Sequence, residues 1–267
     1  MTIPHKIPIL LSLLMLLSLQ SATADDMNTT SVWQQLKKNH FGQRLINNNA
    51  TDILFIEVPT KIEDAAMMPI TIKSLTAQTA EYHIKTLHLI VDNNPQPYSA
   101  AFHLSPKLGP ITISTRIRMD NFSHIRVIAE MNDNSLHMVT RFVVASGGCS
   151  APASKDPSVS AARLGKIQLR MRNTAIGQTT PVQMIISHPN ASGMQFDQQS
   201  QQFIPIHYVT NIDIRFNDEP LITVETGITI SENPSIRFNF TPDTAGTLKA
   251  TITDSKHAVY IAEKQIN

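Results

Sequence analysis

Short runs in which apolar and polar residues alternate recur along most of this chain. Across residues 111–119, Ile111, Ile113, Thr115, Ile117 and Met119 fall on one side, with Thr112, Ser114, Arg116 and Arg118 on the other. That is the period of a strand with one wet face. Leu87, Leu89 and Val91 repeat it, as do Ile125, Val127, Ala129 and Met131, and then Leu136, Met138, Thr140, Phe142 and Val144. Further along come Ile167, Leu169 and Met171, then Val182, Met184 and Ile186, then Ile212, Ile214 and Phe216. Ile236, Phe238 and Phe240 follow, and Leu248, Ala250 and Ile252 precede a last strand over 258–261. Asp92-Asn93-Asn94-Pro95, Leu108-Gly109-Pro110, Asn132-Asp133-Asn134, Asn217-Asp218-Glu219-Pro220 and Pro242-Asp243-Thr244-Ala245-Gly246 supply turns between them. The pattern predicts an all-β protein of two antiparallel sandwiches. One helix is expected over residues 32–39, capped by Ser31 and stopped at Gly42, with Trp33 packing it onto the first sheet.

The beginning of the chain reads differently. Lys6 supplies a positive start, 7–19 is almost wholly apolar, and Ala22-Thr23-Ala24 offers a small-x-small cleavage site before Asp25. Residues 1–24 therefore read as a secretory signal peptide, too short in its apolar run to span a bilayer, and the mature protein is expected in the periplasm, free of the membrane. The 267 residues, 42% of them hydrophobic, suffice for real cores and exclude disorder. With 22 Lys and Arg against 21 Asp and Glu, no basic excess points to nucleic acid. Residues 146–162, SGGCSAPASKDPSVSAA, hold Val159 as their only large apolar side chain and read as an exposed connection. The expected organisation is a first sandwich over 25–150, a linker over 151–162 and a second sandwich over 163–267.

A single cysteine, Cys149, excludes an internal disulfide and a zinc site built from several thiolates. Its neighbours Ser146, Gly147, Gly148, Ser150 and Pro152 give no apolar contacts, so an exposed thiol on a flexible arm is expected, with Gly147 and Gly148 supplying the swing. A catalytic cysteine needs a base held beside it in a rigid pocket. A flexible mount suits presentation of a covalent cargo to other proteins, so the chain reads as a carrier and not an enzyme. The thiol can also link two chains into a dimer.

Several stretches resemble the SoxY and SoxZ subunits of the periplasmic sulfur-compound carrier, here in one chain. SoxY-like are Trp33 with Phe41-Gly42, LIVDNNPQP at 89–97, STRIRMD at 114–120 and the approach to SGGC at 146–149. SoxZ-like are ISHPNASGMQFD at 186–197, IPIHYVTNIDIRFND at 204–218, SENPSIRFNF at 231–240 and AEKQI at 262–266. The fused order is most similar to SoxYZ-like carriers associated with quinoprotein dehydrogenases. The resemblance implies two immunoglobulin-like sandwiches side by side and Cys149 as the attachment site for thiosulfate-type sulfur. Implied partners are periplasmic redox enzymes: cytochromes, sulfur-oxidation enzymes or a quinoprotein dehydrogenase, the last served either by a carrier or by an adaptor without cargo. In the sulfur carriers the cysteine lies in a C-terminal GGCGG tail; here it is internal and followed by Ser150-Ala151-Pro152.

Other chemistry has weaker signals. Ten His include no H-x-H or H-x-x-x-H spacing, and His188 and His207 read as structural hydrogen-bonding groups. Met67-Met68 reads as a core or surface pair. No phosphate-binding glycine loop or dinucleotide fingerprint is present, so no cofactor and no metal is expected.

Overall fold

Each alternating run becomes a strand in a computed structural model of the chain. The structure describes residues 24–59, 61–152, 162–172 and 175–267, with side chains from Ser31 onward. The expected leader up to residue 23 and the stretch 153–161 of the expected linker lie outside the described residues. Helix α1 spans Ala24–Phe41. It is longer than the apolar pattern indicates, and Ser31 lies inside it instead of capping it. Gly42 does follow its end and donates its N–H to Lys38 O at 3.2 Å.

The first half continues with β1 (Ile46–Asn47), β2 (Leu54–Glu57), β3 (Met68–Ser74), β4 (Ile84–Val91), β5 (Tyr98–Leu104), β6 (Thr112–Ile117), β7 (Ser123–Met131) and β8 (Leu136–Val143). The second half holds β9 (Ile167–Met171), β10 (Thr180–Ile186), β11 (Phe196–Asp197), β12 (Gln202–Phe203) and β13 (Val209–Phe216). It ends with β14 (Glu219–Thr226), β15 (Ser235–Phe240), β16 (Gly246–Asp254) and β17 (Val259–Ile266).

The two sandwiches share their sheets. One sheet runs β1-β8-β7-β4-β5-β14-β13-β16-β17 and the facing sheet runs β2-β3-β6-β15-β10-β9. In each, strands of the first half lie on one side and strands of the second half on the other. The joins are β5 with β14, antiparallel from Ile222↔Leu104 to Thr226↔Ala100, and β6 with β15 at Arg237↔Ser114 and Phe238↔Ile113. A single apolar cluster fills the space between the sheets and takes in Leu87, Phe102 and Val127 from the first half and Ile214, Val224 and Phe238 from the second. Ile222 and Val224, both wholly buried, contribute roughly 1.5–3 kcal/mol each by leaving water. The side-by-side placement of two sandwiches is thus a continuous sheet-to-sheet union.

Neither strand of the larger join is announced by alternation. In β5 four consecutive residues, Ser99, Ala100, Ala101 and Phe102, are buried, so its period is hidden. In β14 the stretch that reads as a turn is shorter than its composition indicates. Asn217 (φ 48°) and Asp218 (φ 64°) alone make the reversal, the two-residue hairpin geometry in which both central residues are left-handed. Glu219 and Pro220 already belong to the strand.

Strand β8 alternates as its sequence predicts, but Leu136, Met138, Phe142 and Val144 face away from the shared core. Leu136 and Met138 join Ile90 and Ile128 in a second cluster under Leu36 and Phe41 of α1. Trp33 packs at the edge of this cluster, with the Arg126 guanidinium 4.4 Å from its ring centroid, and Arg126 is clamped by both carboxylate oxygens of Asp92. Beyond the helix the same face stays open. Phe122, Phe142 and Val144 are exposed around His124, where the strand leaves the sheet toward Cys149.

Candidate functional site

The strip from Ser146 to Pro152 was expected to stand in solvent, and the structure corrects that expectation at its centre. Cys149 has 0% of its surface exposed, although it belongs to neither apolar cluster. Backbone and polar groups hold the arm that carries it. Gly147 donates to Asp120 O at 2.9 Å and Gly148 donates to Met119 O at 2.8 Å, so these glycines pin the arm instead of swinging it. Gly147 has φ of 79°, the left-handed region that glycine enters most easily. Gly148 is required for space: a Cβ there would stand 2.1 Å from Ala65 O and 2.8 Å from Met119 O.

The second half closes the other side. Ser192 Oγ donates to Cys149 O at 2.6 Å, and Gln195 Nε2 donates to Ala151 O at 3.1 Å. Gln195 Oε1 in turn accepts the Ser192 N–H, and Ser192 Oγ accepts the Met194 N–H, which fixes both side chains. The thiol therefore sits at the junction of the two halves, with its backbone held by both.

Two charged groups flank the sulfur. The Asp120 carboxylate lies near enough to the thiol to disfavour its negative charge, and Asp120 is positioned through its own N–H to Asn94 Oδ1 at 2.8 Å. Arg118 is the second group. Its side chain was expected on a wet face, yet it is 1% exposed and points inward, donating from Nη1 to Ile228 O at 3.0 Å and Ile230 O at 2.6 Å. Its Nε has no hydrogen-bond partner. Burial lowers the Arg118 pKa, while attraction to Cys149 and Glu232 acts the other way. Burial likewise pushes the Cys149 thiol up, to about 12; Asp120 adds to the rise and Arg118 opposes it. At neutral pH the enclosed sulfur is a protonated thiol, and the thiolate is the nucleophilic form. The closed geometry is chemically quiet.

The residues around Ser192 hang from a buried polar brace. His188, His207 and Asp254, widely separated in sequence, bring one ligand-type atom each to within 4.8 Å of one another. These are residue types that bind zinc. However, His188 Nδ1 accepts the Asn190 N–H at 3.0 Å, which puts the ring proton on Nε2. That proton faces Asp254 Oδ2 at 3.5 Å, without the alignment of a hydrogen bond, and leaves no lone pair there for a metal. Asp254 Oδ2 takes hydrogen bonds from His207 Nε2 at 2.8 Å and Tyr260 at 3.0 Å, and its Oδ1 takes two from the N–H groups of Lys256 and Ala258. These donors hold the Asp254 carboxyl well below the usual carboxylate range against the opposing effect of burial. His188 is held neutral, its pKa lowered to about 4, mainly by burial and then by the neighbouring His207. Ala191 and His207 exchange backbone hydrogen bonds, and Asn190 bridges Val209 N and Ile230 O, so the brace fixes the segment that carries Ser192.

Comparison with known families accounts for this division of labour. The sulfur oxidation protein SoxY profile matches residues 37–149 and ends on Cys149, and the sulphur oxidation protein SoxZ profile matches residues 168–265. The chain belongs to the SoxY–SoxZ family. It carries both domains in tandem, and the family is one of sulfur-oxidation carriers. No curated protein matches the sequence. Among solved structures, a superoxide reductase (neelaredoxin) from Ignicoccus hospitalis is 16% identical, covering 43% of this chain and 89% of its own, with a TM-score of 0.30. Hypothetical protein PH1083 from Pyrococcus horikoshii OT3 is 14% identical over 44% of this chain and 96% of its own, with a TM-score of 0.28. Fibronectin(III)-like modules of Clostridium thermocellum CbhA are 6% identical over 79% of this chain and 91% of their own, with a TM-score of 0.23. Those likenesses are too remote to carry function. No helix among the described residues is long and apolar enough to cross a membrane.

In SoxY–SoxZ terms, the SoxY half supplies the thiol and the SoxZ half supplies the groups that grip its backbone. Ser192 and Gln195 were not singled out from sequence, although both lie inside the ISHPNASGMQFD stretch that carries the SoxZ likeness.

Proposed function

We propose that this protein is a periplasmic, non-catalytic carrier that holds oxidised sulfur groups, of the thiosulfate type, covalently on Cys149. The observation that carries the reading is the placement of the sole thiol. It ends the SoxY half and is gripped by the SoxZ half at a junction where release of a few residues would free it. Conjugation of thiosulfate joins the Cys149 sulfur to the outer sulfur of the anion, with loss of the thiol proton and of two electrons. The electrons pass to a partner of the c-type cytochrome class. Later partners act on the attached group, and the thiol is regenerated. The expected cleavage near Ala24 delivers the chain to that compartment.

The test is intact mass measured on protein purified from the native periplasm with thiosulfate or sulfide supplied. A sulfur adduct that maps to Cys149 is the expected result, and a bare thiol under every condition overturns the reading. A second reading is an adaptor for a quinoprotein dehydrogenase that bears no cargo. It draws on the closed thiol and on the exposed Phe122, Phe142 and Val144 beside it. Dehydrogenase-dependent growth that survives Cys149→Ser but not loss of either half would decide for the adaptor.

A further inference from the structure

The enclosure of Cys149 leaves no room for anything larger than the thiol itself. With 0% of the residue exposed, no water-sized space touches its side chain, and an added heavy-atom group of even one water's size occupies about 30 Å³. The walls are not readily displaced. On the SoxY side the arm lies against backbone at the preceding residue: Ala65 O and Met119 O stand within 3 Å of where a Cβ on Gly148 would lie. On the SoxZ side Ser192 and Gln195 are each fixed by a further hydrogen bond to their own segment. Charge acts from two sides. An anionic sulfur group would be repelled by the Asp120 carboxylate and attracted by Arg118, whose Nη1 serves two carbonyls and whose Nε has no partner, so the exclusion rests on space.

We infer that Met119, Asp120, Ser192 and Gln195 form a seat specific for the unmodified thiol, so that attachment of any group to Cys149 releases the arm from both halves. Ser192 and Gln195 are the positioning residues: they hold the arm only while the sulfur is bare. The physiological meaning of this release rests on the carrier reading above, but the release itself does not. An empty carrier is closed and unreactive, a modified one is open and presented, and the two states differ in what a partner can grasp.

Synthetic adducts test this without knowledge of the native cargo. Cys149 is converted to a methyl disulfide with methyl methanethiosulfonate, or to an anionic sulfonatoethyl disulfide with the corresponding reagent, and hydrogen exchange is followed residue by residue in the full chain. In the unmodified protein the Gly147 and Gly148 amides are protected by Asp120 O and Met119 O. Both adducts should lower that protection at least about tenfold, and dithiothreitol should restore it. Amides within β7, such as Val127, should stay protected. Unchanged protection at Gly147 and Gly148 overturns the inference. So does equal loss throughout β7, which would make Cys149 a core residue and not the occupant of a seat. Ser192→Ala and Gln195→Ala should each speed the labelling of Cys149 while leaving the melting temperature within a few degrees; a slower or unchanged rate in both counts against their role. A periplasmic mass that shows only bare thiol would end the carrier reading and leave this result standing.

Discussion

Replacing Gly148 by alanine should open the thiol, and the size of the effect can be worked from the contacts. The added Cβ would lie 2.1 Å from Ala65 O and 2.8 Å from Met119 O, whereas ordinary contacts begin near 3.4 Å, so the arm must move by more than 1 Å. That displacement breaks the 2.8 Å bond from Gly148 N to Met119 O and disturbs its neighbours. The arm is held by four hydrogen bonds: Gly147 to Asp120, Gly148 to Met119, Ser192 to Cys149 and Gln195 to Ala151. At a net value of about 1 kcal/mol each they sum to about 4 kcal/mol, a closed-to-open ratio on the order of a thousand. Reaction of Cys149 with a coloured disulfide reagent should therefore accelerate about 100- to 1000-fold in Gly148→Ala. Gly147→Ala meets no contact and suffers only the left-handed backbone cost of about 1–2 kcal/mol, so its acceleration should be nearer tenfold. A Gly148→Ala rate within threefold of the parent would refute the reasoning. A melting temperature so low that global unfolding explains the rate would refute it as well.

Closure should also depend on pH. Because enclosure raises the thiol from its usual value near 8.5 to about 12, the closed state retains the proton, and closure is insensitive to pH below about 8.5. Above that it should weaken about tenfold per pH unit toward 12, seen in the amide NMR resonances of Gly147 and Gly148 and absent in Cys149→Ala. His188 works in the opposite window. Its folded value of about 4 lies below the ordinary 6.5, so stability falls as pH drops through that interval, by about 1.4 kcal/mol per unit at most. Urea unfolding at pH 7 and pH 5 should show this slope, and His188→Gln should reduce it. Arg118→Met leaves Ile228 O without its donor while Ile230 O keeps Asn190 Nδ2, and should cost about 1–3 kcal/mol, a melting point lower by roughly 3–9 °C in calorimetry. Finally, a protease site inserted after Pro152 and cut should leave the halves together in gel filtration, because β5 and β14 pair along five residues and share one core. Separation without denaturant would contradict the continuous-sheet architecture.

Much of the fold is legible in the chain because a strand with one buried face writes its period into the sequence. Ile113, Ile117, Val127, Met184 and Phe238 all bury as their alternation requires. The period fails where both faces are covered, as in β5, and where it cannot say which side is covered, as in β8, whose apolar side meets α1 and then open solvent. Composition also misjudges Arg118. A charged residue in an alternating run reads as solvent-facing, yet two carbonyls from a segment 110 and 112 residues away compensate its burial.

What the sequence alone determined was the class of fold and the place of the one atom on which the proposed function rests: a single cysteine after two glycines, near the junction of two β-rich halves. It could not say whether that atom is open or closed. Exposure is a property of what folds against a residue, and the groups that hold the arm on either side of Cys149 come from Ala65, Met119 and Asp120 in the first half and from Ser192 and Gln195 in the second. Local composition, poor in apolar neighbours, pointed to solvent. The tertiary structure supplies backbone carbonyls and side-chain donors instead, and hydrogen bonding replaces apolar packing as the force that buries the thiol.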